Sequence, residues 1–390
     1  MMNDSTVPET TAGAATIAIA GLIALAVAMG IGRFAFTPIM PMMEADAGLT
    51  LRAAGWLAAA NYLGYFIGAL CAARLSLRQA VRGGLLLIAA VTFAMGIAHV
   101  FWLQLILRLL AGVASAWVLV HVSSWALGRL HAMDRDTAGG IVYAGVGVGV
   151  AAAGFVVMAM MQMRWNSDRT WQVFGVLALL AALALWRGFR DGHAVRRKRV
   201  ALAAQGLHWT ADKRRLMACY FGLGIGYIIP ATYLPDMAHR YITNPLVFGL
   251  AWPVFGVASA LSTWIAARWF AHVNDRRTWA ICNVLMATGV ALPAFWPALT
   301  AILVAALLVG GTYMVVTMVA LREAHRVAGI EATAFIAVMT AAFAIGQIIG
   351  PLLVTAVAHT RHGFTVALLA SAAVVLAAAV SLWRSAETAG

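Results

Sequence analysis

GIGRFAFTPIMPMM, Gly30 to Met43, places an arginine inside an otherwise uncharged apolar run and follows it with two prolines. A second stretch, GIGYIIPATYLPDM, Gly224 to Met237, repeats the spacing 194 residues later. Gly30, Ile31, Gly32, Pro41 and Met43 align with Gly224, Ile225, Gly226, Pro235 and Met237. The position of Arg33 is taken by Tyr227. The chain therefore reads as two related halves, and only the first carries the charge.

Composition places those halves in a membrane. Of 390 residues, 63% are hydrophobic and 11% charged, whereas a soluble domain carries about 25% charged residues. A water-soluble globule of this size could not be covered with so little polar surface, so the chain is a polytopic membrane protein. The net charge of +13 does not point to nucleic acid, because the basic residues fall between apolar runs and not along one face. Cys71, Cys219 and Cys282 lie in apolar segments with no metal-ligand spacing and are expected to be buried free thiols. No Lys or Arg precedes Arg33, so the first run lacks a signal peptide's basic start and reads as an uncleaved span.

A bilayer core takes about 20 apolar residues per helix. Runs at 14–40, 50–73, 83–102, 104–128, 138–162, 171–188, 214–236, 246–270, 278–296, 299–321, 331–357 and 363–384 meet that length or approach it. They lack the period-2 alternation of barrel strands. The expected fold is all-α, with twelve transmembrane helices in two pseudo-symmetric six-helix bundles. The expected boundaries are a tail at 1–13, bundles at 14–188 and 214–384, a basic linker at 189–213 and a tail at 385–390. With the N-terminus inside, 20 of the 27 Lys and Arg fall on the cytoplasmic side, five outside, and Arg33 and Arg108 within the membrane. That bias predicts both termini in the cytoplasm. The linker, with RRKR at Arg196 to Arg199 and DKRR at Asp212 to Arg215, reads as a solvated topological anchor, with anionic lipid as the other reading.

Two parallel six-helix repeats joined by a basic loop resemble the major facilitator superfamily. RLLAG, Arg108 to Gly112, is similar to its RxxxG pattern in the fourth span, and GQIIGP, Gly346 to Pro351, to Gly-Pro patterns of the eleventh. GIGRFAFTPIMPMM, GYIIPATYLPDMA and GGTYMVVTMVALREA resemble the YbfB/YjiJ family within it. The resemblance implies a secondary transporter of the bacterial inner membrane that works by alternating access, with no enzymatic activity and no cofactor. The loop GALCAARLSLRQAVR, Gly68 to Arg82, departs from the superfamily pattern in having no acid. Its second-half counterpart holds Asp275, Arg276 and Arg277, which are expected to act in gating. The fifth span, YAGVGVGVAAAG, has no Gly-Pro, which weighs against a drug antiporter.

A charge at membrane depth costs about 2.5–3.5 kcal/mol on insertion scales. Arg33 is therefore expected to face the cavity between the halves, either as a ligand-binding charge or as a structural cap on nearby carbonyls. All 14 acidic residues fall in termini, loops or span ends, including Asp236 and Glu323. A cation exporter needs a buried carboxylate; this chain offers guanidinium groups, which fit a carboxylate or phosphate bidentately. The leading reading is transport of a small organic anion by a monomer. The alternatives are efflux of a neutral or amphipathic compound, or a transporter-like sensor without net transport. A nucleotide-driven pump is disfavoured by the lack of a Walker-type run.

Arg108 is a second substrate candidate, or a packing residue. His121, on the same helix, is the candidate for proton coupling, or a hydrogen-bonded packing residue. Asn61, Tyr65, Tyr143, Tyr227, Thr232, Tyr233, Trp252, Thr312, Tyr313 and Gln347 are candidates to complete the pocket. Tyr227 carries most weight among them, as the repeat-mate of Arg33. Gly145, Gly147 and Gly149 predict close helix packing, with Gly249 and Gly256 as partners.

Overall fold

The computed structural model describes residues 13–189, 207–239, 245–270, 272–296, 298–357 and 363–387. All regular structure among them is helical. The helices are α1 (Ala14–Ala47), α2 (Leu51–Ala72), α3 (Gln79–Met95), α4 (Phe101–His131), α5 (Gly139–Gln162) and α6 (Ser167–Ala184). The second half has α7 (Ala211–His239), α8 (Pro245–Trp269), α9 (Asp275–Phe295), α10 (Leu299–Ala328), α11 (Ala332–Val357) and α12 (Gly363–Glu387). Twelve helices thus stand where twelve apolar runs were read. Seven described segments are long and apolar enough to cross a membrane, and one of them, Thr300–Gly350, covers parts of both α10 and α11.

The repeat seen in sequence governs the packing. In the first half α1 lies on α5, α2 on α4 and α3 on α6; six helices later α7 lies on α11, α8 on α10 and α9 on α12. Between the halves, α5 packs along α8 and α2 along α11. Glycine allows the closest approaches. A methyl group added at Gly30 would sit 2.5 Å from the Gly149 backbone, and one at Gly145 would sit 2.2 Å from Leu22 O. Gly147 faces the other way, against Gly256 and Ala260 of α8. The α5 glycines therefore serve two neighbours: Gly147 meets Gly256 as expected, while Gly145 and Gly149 meet α1. Gly249 lies outside the described side-chain environment.

Several helix ends exceed the runs read from hydropathy because they continue beyond the apolar core, whereas α3 stops at Met95 and α6 at Ala184, short of the expected 102 and 188. The first helix reaches Ala47, where Gly48 (φ 64°) closes it in the left-handed conformation. Thr50 then caps α2 through the Ala53 N–H. The seventh helix begins at Ala211, so Asp212 to Arg215 belong to its first turn and are not linker. Lys213 there pairs with Glu331 at 2.5 Å, which accounts for its burial. Arg196 to Arg199 lie outside the described residues. The twelfth helix runs to Glu387, past the expected boundary at 384. Cys71, Cys219 and Cys282 are free thiols, the last two buried and Cys71 half-buried, with Trp117 donating to its sulfur.

Candidate substrate site

In α1 the backbone widens into a π-helical turn over Ala26–Phe34 before the α-helix resumes at Phe36. Pro38 falls in the first turn of the resumed helix, where its missing N–H costs little, and Pro41 lies inside it. Such a turn changes the pairing of backbone carbonyls, and three of them accept side-chain donors. Asn61 Nδ2 donates to Gly32 O at 3.3 Å and to Arg108 O at 3.0 Å. Arg108 Nη1 and Nη2 donate to Gly32 O at 3.4 Å and Arg33 O at 3.2 Å, and its guanidinium lies 4.9 Å from the Phe36 ring centre. Ser115, which the sequence reading passed over, donates to Ala28 O at 2.7 Å. Arg108 and Asn61 thus brace the turn that presents Arg33. This geometry favours packing over ligand contact for Arg108.

Arg33 itself is 3% exposed. Its guanidinium carbon lies 4.1 Å from the Tyr65 ring centre, with Tyr62 and Phe34 each at 5.4 Å and Phe343 of α11 at 5.8 Å. Its Nη2 donates to Gln347 Oε1 of α11, a hydrogen bond from one half of the molecule to the other. Nε and Nη1 are buried with no partner among the described residues, and so is Gln347 Nε2. On the facing side Tyr227 stacks on Tyr313 with ring centres 4.1 Å apart and planes 11° from parallel, and Phe343 stacks beyond it at 6.0 Å. Phe34 meets Tyr313 and Trp252 edge-on.

Arg33, Tyr65, Tyr313, Gln347 and Tyr227 therefore gather in one layer where the halves meet. Trp252 joins its edge, half-buried, with an unpartnered Nε1. Tyr143 is buried on α5, six residues from Gly149 toward the helix start, its hydroxyl also unpartnered. Thr312 bonds back to its own helix at Leu308 O, 2.6 Å, which fits packing. The side chains of Thr232, Tyr233 and Asp236 lie outside the described residues. Tyr62 and Phe343 escaped the sequence reading. Helical spacing could have found both, since Tyr62 stands three residues before Tyr65 and Phe343 four before Gln347.

His121 sits between two backbone oxygens, with Nδ1 3.1 Å from Trp117 O and Nε2 3.0 Å from Leu75 O. Carbonyls only accept, so both contacts are hydrogen bonds only when both ring nitrogens carry hydrogen.

The end of the molecule bearing the Arg-rich connections is knitted by ion pairs within the second half. Arg276 binds Asp212 at 2.5 Å and Glu323 at 2.5 Å, Arg326 binds Glu323 at 2.7 Å, and Arg322 binds Asp275 at 2.5 Å. Burial alone would raise the Glu323 carboxyl, but the hydrogen bonds from Arg326 and Arg276 hold it below its ordinary value. Burial dominates at Asp275, which stays raised even beside Arg322. Arg277 is exposed. At this end the halves touch directly: Ser124 and Thr333 hydroxyls lie 2.6 Å apart, and a methyl at Gly128 would sit 3.1 Å from His325 Nε2.

Among the described residues no cluster of His, Cys, Asp or Glu could hold a metal ion. The sequence matches the family described as "Uncharacterised MFS-type transporter YbfB" over residues 25–382, and the chain belongs to that family of major facilitator transporters. No curated protein matches the sequence. Among solved structures, the human organic anion transporter MFSD10 (TETRAN) is similar in fold, with a TM-score of 0.71 and 14% identity over 95% of this chain and 98% of that one.

Proposed function

We propose that this chain is a secondary transporter that carries a small organic anion across the bacterial inner membrane, with the Arg-rich end and both termini in the cytoplasm. The observation that carries the proposal is Arg33: a buried cation whose Nε and Nη1 have no partner among the described residues, at the meeting of the halves. Burying an unpaired charge is costly, and an anionic ligand offsets that cost. The place of the site supports a cycle of alternating access: the Arg33–Gln347 bond spans the two halves, and they touch again at Ser124–Thr333. Opening at one end while the other closes would expose Arg33 to each side in turn. The fold shared with a transporter described as carrying organic anions fits this reading. In a proton-coupled cycle His121 would carry the proton, and Asp275, Arg276 and Arg277 would act at the cytoplasmic gate.

The aromatic wall around Arg33 favours a second reading, in which a neutral or amphipathic compound stacks on the rings and ignores the charge. A thermal-shift screen of the purified protein against organic anions, organic cations and neutral aromatics separates the two, since a ligand that binds the folded state raises its melting temperature. Stabilisation by anions is the expected result. Stabilisation by neutral compounds alone would replace the first reading with the second.

A further inference from the structure

We infer that the anion is a monovalent carboxylate on a flat apolar body, and that Gln347 holds the place of its carboxylate between cargoes. This rests on the anion reading of Arg33 and goes further in naming the class of ligand and the residue it displaces.

A carboxylate binds a guanidinium bidentately through either of two edges, Nε with Nη2 or Nη1 with Nη2. Both edges contain Nη2, and Nη2 is the nitrogen held by Gln347 Oε1. Nε and Nη1, on either side of it, are the two left without a partner among the described residues. A guanidinium only donates, so the amide presents its oxygen to Arg33 and its NH2 elsewhere. That NH2 is buried and unpartnered as well. A neutral amide oxygen thus sits where a carboxylate oxygen belongs. When a carboxylate takes Nη2, the freed amide can turn and donate Nε2 to it. The exchange partners Nη2, one of Nε and Nη1, and the amide Nε2, and it breaks the Arg33–Gln347 link between the halves, which ties cargo binding to their rearrangement.

The valence follows from the charges present. Arg108 uses both Nη atoms on Gly32 O and Arg33 O. Arg108 keeps only Nε without a partner among the described residues, so Arg33 is the cation that can offer a fork, and a second carboxylate would find no fork of its own. A zwitterion fails for the converse reason, because the described residues of this layer include no carboxylate to meet an ammonium. The body follows from the walls. Tyr65 covers one face of the guanidinium at 4.1 Å, and the Tyr227–Tyr313 stack and Phe343 form the facing side. Such surfaces favour a flat ring that stacks over a flexible polar chain.

The test is equilibrium binding to the full-length protein in nanodiscs, with benzoate, benzamide, acetate, phthalate, phenylalanine and inorganic phosphate as probes. Benzoate should bind at least ten-fold more tightly than any of the others. In Gln347→Glu a permanent carboxylate would occupy Arg33, so benzoate affinity should fall at least ten-fold while the melting temperature of the empty protein rises. Unchanged benzoate affinity in Gln347→Glu would overturn the placeholder. Binding of phthalate or phosphate in preference to benzoate, lost in Arg33→Gln, would overturn the monovalent flat ligand and leave the anion reading standing. Binding of none of the anions, or benzoate binding that persists in both Arg33→Gln and Arg33→Lys, would remove the anion reading and this inference with it.

Discussion

The two copies of the glycine-led stretch share a backbone device and differ in what they present. Gly30 packs on Gly149 of α5, and Gly224 packs on the Phe343–Gly346 segment of α11. A methyl at Gly224 would sit 2.3 Å from Phe343 O, as close as the one at Gly30 would sit to Gly149. Beyond that the copies part. The first opens into a π-helical turn and holds Arg33, braced by Arg108 and Asn61. The second stays α-helical from Ala211 to His239 and holds Tyr227, stacked on Tyr313. The residues after the partner glycines differ in the same manner: Val150 follows Gly149, but Gln347 follows Gly346. The repeat thus supplies the scaffold twice and the chemistry once. One half brings the cation and the rings nearest to it, Tyr65, Tyr62 and Phe34, and the other brings the neutral polar group and the facing rings.

The largest effect should come from the shared device. Gly30→Leu and Gly224→Leu each drive a side chain into a neighbouring helix backbone, which cannot move aside as a side chain can. Both should abolish monodisperse protein on size-exclusion chromatography. Normal recovery of one with loss of the other would show that the two contacts are not equivalent.

Next in size is the ion-pair network of the second half. Arg276→Ala leaves Glu323, whose side chain is 1% exposed, with one cation fewer, and breaking a buried pair costs about 3 kcal/mol. A lower melting temperature should report it, and the transport rate should change more than substrate affinity. Unchanged rate with a large loss of affinity would move Arg276 from the gate to the site. The pH dependence sharpens this. Glu323 is held below the ordinary carboxylate value, so its contribution is present above about pH 4.3 and is lost as pH falls through its lowered folded value. In Arg276→Ala that loss should begin at higher pH, as seen in melting temperature against pH. An unshifted acid limb would mean that Arg326 alone sets the Glu323 carboxyl.

Much of the fold was legible because bilayer thickness imposes a run length and because the repeat survives in Gly30 to Met43 and Gly224 to Met237. The gathering of Arg33, Tyr227, Tyr313 and Gln347 was legible in part. Cost at depth flags Arg33, and repeat symmetry flags Tyr227. The π-helical turn was not legible, since a hydropathy run carries no mark of a local widening of the helical backbone. Nor was the use of Arg108, whose acceptors are backbone oxygens 75 and 76 residues away in sequence. The Arg33–Gln347 bond joins residues 314 apart and belongs to no motif. The pairing of Arg276 with Asp212 and Glu323 joins three span ends, which hydropathy marks only as places where charge is tolerated.

A smaller effect should separate ring from hydroxyl at the repeat-mate. Tyr227→Phe keeps the stack on Tyr313 and removes one neutral hydrogen-bonding group, about 1 kcal/mol, or roughly five-fold in affinity for a transported anion. A loss as large as that of the Arg33 charge would make Tyr227 an equal partner and erase the asymmetry between the copies.

The central claim is that the charge present in only one copy binds the cargo. Its most direct test is the affinity of folded, inserted Arg33→Gln protein for an anion that the wild type transports. A hydrogen bond to a charged group is worth about 1.5–3 kcal/mol, so affinity should fall roughly ten- to hundred-fold. Arg33→Lys should recover only part, because an ammonium lacks the planar fork. Unchanged affinity in Arg33→Gln would contradict the account and leave Arg33 as a structural link between the halves.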